Sequence, residues 1–333
     1  MSMLFLVSSA CAGDYGGADF ALRFPAALTR FAGYADVAAC GNASAGSKWA
    51  TSINPAATDW QPSEGKLKID ATPQFSLLDF DEGTQIYVAS ECLAWHSPGF
   101  GTFMPAAAQV WSNEATTALQ YDFKFDADVY QLQWGIRPTE KWAFGLNFSY
   151  TDSHVKFLAS DVPVAETDAE SITGRAGLLH QFAKQWRLGV VVDYGQSRND
   201  NSQLVMTPNG PKPVQGDTRT DQFSFRPGVC WEYVKDSSVY IDYQMLLLSD
   251  SEAGHLDLHR FSAGIDHELF KGIYVRVGAV VDTTGQFGWT CGGGISPAPW
   301  MSIDLAYQND FFPELVPELG HSQTFTLSAS LAF

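Results

Sequence analysis

The chain has 333 residues and a formal net charge of −17, with only 17% charged residues, 14% aromatic residues and 29 glycines. That combination excludes a disordered chain, which is richer in charge and poorer in rings, and a nucleic-acid binder, which carries a basic surface. No run of ~20 apolar residues exists to build a membrane helix, so what remains is a large all-β protein with its apolar residues dispersed along strands.

In chain order, Met3 to Val7 are apolar and lead into Ser8-Ser9-Ala10-Cys11-Ala12-Gly13. Ala10-Cys11-Ala12 fits a small-x-small cleavage site, so residues 1–12 read as part of a signal peptide; acylation of Cys11 is the lipoprotein alternative. Residues 13–65 are dominated by Gly, Ala, Ser, Asn and Pro and lack strand alternation, and Ala21–Phe31 suits a short helix. Leu22, Phe24, Leu28, Phe31 and Trp49 need something to pack against. The segment therefore reads as a plug inside a barrel or a periplasmic linker. Cys40, Cys92, Cys230 and Cys291 form no C-x-x-C or Cys/His cluster, so neither a zinc site nor a dithiol centre is expected.

From about residue 66 onward the chain reads as strand after strand with a period of two. In Trp142–Thr151, Trp142, Phe144, Leu146, Phe148 and Tyr150 alternate with small or polar residues. Trp186–Gly195 repeats the scheme, and so do the last residues, where Phe325, Leu327, Ala329, Leu331 and Phe333 alternate with Thr, Ser and Ala. Each run has about the ten residues that a tilted strand needs to cross a bilayer. About fourteen such strands are expected over 66–333, forming a transmembrane antiparallel β-barrel.

Connections alternate in length. Short ones fall at Ser97–Gly101, Pro138–Lys141, Ala183–Gln185, Lys235–Ser237, Phe270–Gly272 and Ser296–Pro299. Longer ones are expected at Asn113–Phe125, Ala159–Glu170, Arg198–Arg219, Ser249–His255 and Asp310–His321. That asymmetry is the one seen between the periplasmic and extracellular ends of outer-membrane barrels. Trp142, Trp186, Trp231 and Trp300 flank short turns, while Tyr150, Tyr194, Tyr307 and Phe311 lie near long loops, as two interfacial girdles require.

The stretch Gly41 to Ala57, ending in Asn54-Pro55-Ala56-Ala57, resembles the N-terminal hatch of the FadL/TodX family of outer-membrane transporters. The resemblance implies a hatch of residues 13–65 before a barrel of 66–333, and a hydrophobic small molecule (a long-chain fatty acid or aromatic hydrocarbon) as ligand. It also implies lateral release where the third strand is kinked, which points to Pro105 and Ala106 as the gate. Terminal Phe333 resembles the signature read by the barrel assembly machinery.

Three further expectations concern the lumen and the outer rim. Arg260 and Arg276 would meet a ligand carboxylate, since a guanidinium suits bidentate contact. Phe311, Phe312 and Leu315 would capture hydrophobic ligands at the extracellular side. Acidic loop residues would face outer-membrane lipid and lipopolysaccharide. The barrel is expected to be a monomer in the bacterial outer membrane. No catalytic, metal-binding or cofactor-binding motif is present: His255 and His259 lie ~13 Å apart on an extended chain, and no G-x-S-x-G elbow occurs. A general diffusion porin and a structural or secretion-adaptor barrel are the alternative functions.

Overall fold

The computed structural model describes residues 34–48, 50–60, 68–81, 83–97, 99–113, 115–116, 122–159, 162–207, 210–251, 254–283, 285, 287–312 and 319–332. The expected signal peptide 1–12, the helix at Ala21–Phe31, Trp49, Leu315 and Phe333 lie outside them.

Alternation of large apolar with small polar residues produces strands, because successive side chains point to opposite faces. The wall begins with β1 (Lys68–Phe80), β2 (Gln85–Ser97) and β3 (Gly101–Ser112). β4 (Ala115–Thr116) is a two-residue ladder on β5 (Asp122–Thr139) and adds nothing to the wall. Next come β6 (Trp142–Ala159), β7 (Val162–Ala183), β8 (Trp186–Thr207) and β9 (Gly210–Val234). β10 (Ser237–Asp250), β11 (Gly254–Phe270), β12 (Ile273–Asp282), β13 (Phe287–Ala298), β14 (Met301–Asn309) and β15 (Ser322–Ala332) complete it. Every neighbour pair is antiparallel; β1 pairs with β15 and β3 with β5, so fourteen strands close into a barrel.

The outer face is apolar. Phe144, Leu146 and Phe148 on β6, Phe261 and Ile265 on β11, and Phe325 and Leu327 on β15 are all exposed, while Ala143, Asn147, Thr324, Thr326 and Ser328 on the same strands are buried. A water-soluble barrel would bury the first set; here lipid is the solvent. Rings mark the belt's edges. Near the short turns, Trp142 stacks on His180, Phe182 contacts Trp186, Trp186 stacks on Trp231, and Trp231 contacts Tyr233. At the opposite edge Tyr87 stacks on Trp111, and Trp289, Tyr307 and Phe325 form a chain of contacts. These are the two expected girdles.

Two expectations fail. Ala159–Glu170 and Arg198–Arg219 are not long loops. β7 starts at Val162, and β8 and β9 stay paired out to Thr207↔Gly210. Beyond the bilayer both faces of a hairpin are wet, so such a ladder can be polar throughout and loses the alternation that marks strands. Phe311 is not a girdle ring either. With Phe312, Leu78, Ile86, Val88, Val110, Phe125 and Leu319 it fills an apolar cluster, and it is only 4% exposed.

Candidate functional site: the lumenal segment and the weakened seams

The described residues of 34–60 lie against the lumenal wall. α1 (Ala35–Ala39) buries Ala35, Ala38 and Ala39 against Ala306 of β14. Its carbonyls at Ala38 and Ala39 accept from Gln308 (3.3 Å) and Thr290 (2.8 Å). Farther on, Asp242 Oδ2 accepts the backbone N–H groups of Ser44 (2.9 Å) and Ala45 (2.8 Å) while pairing with Arg226 Nε at 3.0 Å. Arg226 also donates to the Asn42 carbonyl, and Arg175 Nη1 to that of Ser52 at 2.8 Å. Charged side chains on the lumenal face therefore hold this segment to the wall. Each such bond to a charged group contributes about 1.5–3 kcal/mol.

The Asn54-Pro55-Ala56 motif has a local physical reason. Asn54 caps a 3-10 turn, Pro55–Asp59, its Oδ1 accepting from Ala56 N at 3.0 Å, and Pro55 takes the first turn position, where a missing N–H costs nothing. Asn54 Nδ2 donates to Ala45 O (2.8 Å) and to Leu178 O of the wall (3.0 Å). Ala56 and Ala57 pack with Trp60, Ala143 and Leu179. The wall opposite is stripped to glycine: a Cβ at Gly145 or Gly177 would overlap Pro55 or Asn54, and one at Gly189 would overlap the Ala45 carbonyl. At the turn's end, Asp59 accepts from Thr102 Oγ1 (2.7 Å) and Arg137 N (2.9 Å), and its Oδ1 lies 2.9 Å from His96 Nδ1.

The segment separates two spaces. On the long-loop side a pocket is lined by Arg175, Asp193, Arg226, Arg260, Leu246 and Phe311. On the short-turn side a cavity of about 450 Å³ is lined by Tyr34 and Asp36 from the segment and by Asp70, Cys92, Ala94, His96, Thr102, Met104, Asp266, Arg276 and Asp304 from the wall. Arg260 and Arg276 thus lie in different spaces rather than one site. Arg276 is held by Asp266 (3.2 Å) and Asp304 (2.5 Å). Burial and the nearby Asp304 carboxylate push Asp36 up from 3.8 to about 6, with Arg276 pulling the other way.

Pro105 is on the outer face of β3. Its ladder with β5 is continuous through Leu132, but the ladder with β2 omits Leu93/Pro105 and Ala94/Met104. The reason is the absent N–H of proline, which leaves one bond unmade. Pro73 does the same to the β1/β15 ladder, which passes from Ala71/Leu331 to Gln74/Ser328, and Pro227 does it to β9/β10. The first two weakened seams flank the β1–β2 pair, and both border the lower cavity through Ala94, Met104, Thr72 and Ser330. Ala106 faces the lumen beside the β2/β3 seam and is half-buried.

Sequence reasoning missed the seat of the segment. Its signal was available: Gly145 pairs with Gly177, Gly189 with Gly228 and Gly264 with Gly278, so lumenal glycines stand side by side across the wall. It also missed Asp36 and Asp59, which sit outside any alternating run.

The autotransporter β-domain family model matches residues 107–242, less than half of the chain. Comparison with curated proteins gives no match. Among solved structures, the Ralstonia pickettii toluene transporter TbuX is similar, with 13% identity, a TM-score of 0.63, and 90% of this chain and 97% of that one covered. The CymD monoaromatic hydrocarbon channel gives 13% identity and a TM-score of 0.62 over 90% and 97% of the two chains. A Pseudomonas aeruginosa FadL homologue gives 11% identity and a TM-score of 0.61 over 90% and 98%. The chain therefore has the fold of these bacterial outer-membrane barrels, fourteen antiparallel strands closed around a lumen.

Proposed function

We propose that this barrel carries small hydrophobic compounds across the bacterial outer membrane and releases them sideways into the bilayer through the β2/β3 seam at Pro105 and Ala106. One observation supports the reading: the described residues of 34–60 are hydrogen-bonded to the lumenal side of β7, β10 and β13, and the weakened β2/β3 seam borders the cavity on their short-turn side. An apolar compound gains nothing from an aqueous pore, whereas a path into lipid keeps it out of water. The aromatic-hydrocarbon transporters among the similar structures support the same cargo class. Phe311 would meet the ligand from inside the upper pocket rather than at an exposed rim, with Phe312 packed behind it, and Arg260 would contact its polar end there. The wall closes within one chain, which supports a monomer as the transporting unit, inserted in this reading by the barrel assembly machinery.

Gln133 reaches Thr58 across the segment–wall contact, so Thr58→Cys with Gln133→Cys, bridged by a short bis-methanethiosulfonate cross-linker that spans the length of the glutamine side chain, should lock the segment in place. Toluene uptake by cells expressing the locked barrel should fall to the empty-vector level and recover with reductant. Undiminished uptake by the locked form contradicts a moving hatch. The autotransporter match favours a second reading, a secretion adaptor; a stoichiometric co-purifying protein and unchanged hydrocarbon uptake on deletion would support it instead.

A further inference from the structure

Glu91 lies on β2 midway between Tyr87 and Trp95, whose rings belong to opposite girdles, and its side chain is on the outer, lipid-facing side. Directly across the ladders stand Pro73 and Ala107. Pro105, at the weakened seam, is its diagonal neighbour, about 7–8 Å away by strand geometry. No Lys or Arg occupies the outer face of β1, β2 or β3 between the girdles. An ionisable side chain at that depth is costly and marks function.

The lumenal side of the same seam has the same sign of charge. Asp36, Asp70, Asp236, Asp266 and Asp304 line the lower cavity, and Arg276 and the His96 imidazole, which also line it, each contact a carboxylate. The seam between the two, at Ala94 and Met104, is uncharged. Among the described residues, a compound leaving this way passes from aspartates to a glutamate and meets no cation outside an ion pair.

We propose that this route is an anion filter: it passes uncharged hydrophobic compounds, hydrocarbons and alcohols, and rejects carboxylates of the same chain length, with Glu91 as the specificity-determining residue on the lipid side. The inference rests on the lateral-release reading above. A carboxylate drawn toward the seam would pass within roughly 10 Å of the lumenal aspartates in a poorly screened setting, which lowers its occupancy on the order of tenfold, and past the seam it would meet Glu91 and no cation. An alcohol of equal length meets no such barrier. Arg260 lies above the segment, so an anion held there is separate from an anion passed below.

The test is uptake of radiolabelled dodecan-1-ol and dodecanoate at pH 7.5 by cells lacking other hydrophobe transporters, with and without the barrel. Barrel-dependent uptake should favour the alcohol by about tenfold. Glu91→Gln should narrow that ratio at least threefold, and Glu91→Ala should do the same, each checked for folding by heat-modifiable gel migration. Equal barrel-dependent uptake of both probes overturns the filter while leaving transport standing. A strong preference for the alcohol that neither variant moves overturns the role of Glu91. Uptake of neither probe above the empty-vector level overturns the transport reading and the filter with it.

Discussion

Asn54 joins three parts of the molecule with one side chain: it caps its own turn, holds the Ala45 carbonyl within the segment, and reaches Leu178 of the wall. Asn54→Ala removes all three bonds and leaves buried carbonyls without that donor, so the seat should weaken by about 1–3 kcal/mol. Limited proteolysis of the folded barrel would then cut within 34–60 markedly faster, with the wall still intact. Gly177→Val should act in the same direction by steric overlap with Asn54 and Pro55. Asp36 adds a pH dependence. Its value is raised in the folded protein, so its stabilising contribution is full below about 3.8 and is lost as pH rises through about 6. Asp36→Asn should therefore match the wild-type melting temperature near pH 4 and exceed it at pH 8. A difference that stays flat with pH would contradict the burial of this carboxyl.

The strands that could be read from sequence were those whose two faces meet different solvents. Trp142–Thr151 alternates because Phe144 and Phe148 meet lipid while Ala143 and Asn147 meet the packed lumen. Asp200 and Asp217 pair in the same barrel, yet both faces of that hairpin are wet and no period of two survives. Proline positions were readable as well, but which ladder each one breaks was not, because that depends on which neighbour the missing N–H faces. Pro105 faces β2, Pro73 faces β15 and Pro227 faces β10. The carbonyls of Leu93, Ala329 and Tyr243, opposite these prolines, lose their donor, so each ladder should open locally more often there and the amides of these residues should exchange with deuterium faster than that of Val277 in the unbroken β11/β12 ladder. Pro105→Ala restores the donor; it should slow exchange at Leu93 and reduce toluene uptake if the seam is the exit. Slower exchange with unchanged uptake would place the exit elsewhere.

At the scale of the whole molecule, the net charge of −17 separates into distinct populations. Acidic residues such as Asp168, Asp200 and Asp217 stand on the extended hairpins, and others pair with arginines in the lumen, as Asp242 does with Arg226. The closed barrel follows from the alternation alone. The seat of the segment does not: it depends on glycines from separate strands lining up beside Cys40, Ala45, Asn54 and Pro55, a register that only the closed wall fixes. Single-channel recording in a planar bilayer tests the central claim, that residues 34–60 shut the lumen to water. The intact barrel should show no steady large conductance, and deletion of 34–60 should produce one. A steady, large open conductance from the intact protein would contradict the account and return the barrel to the general porins.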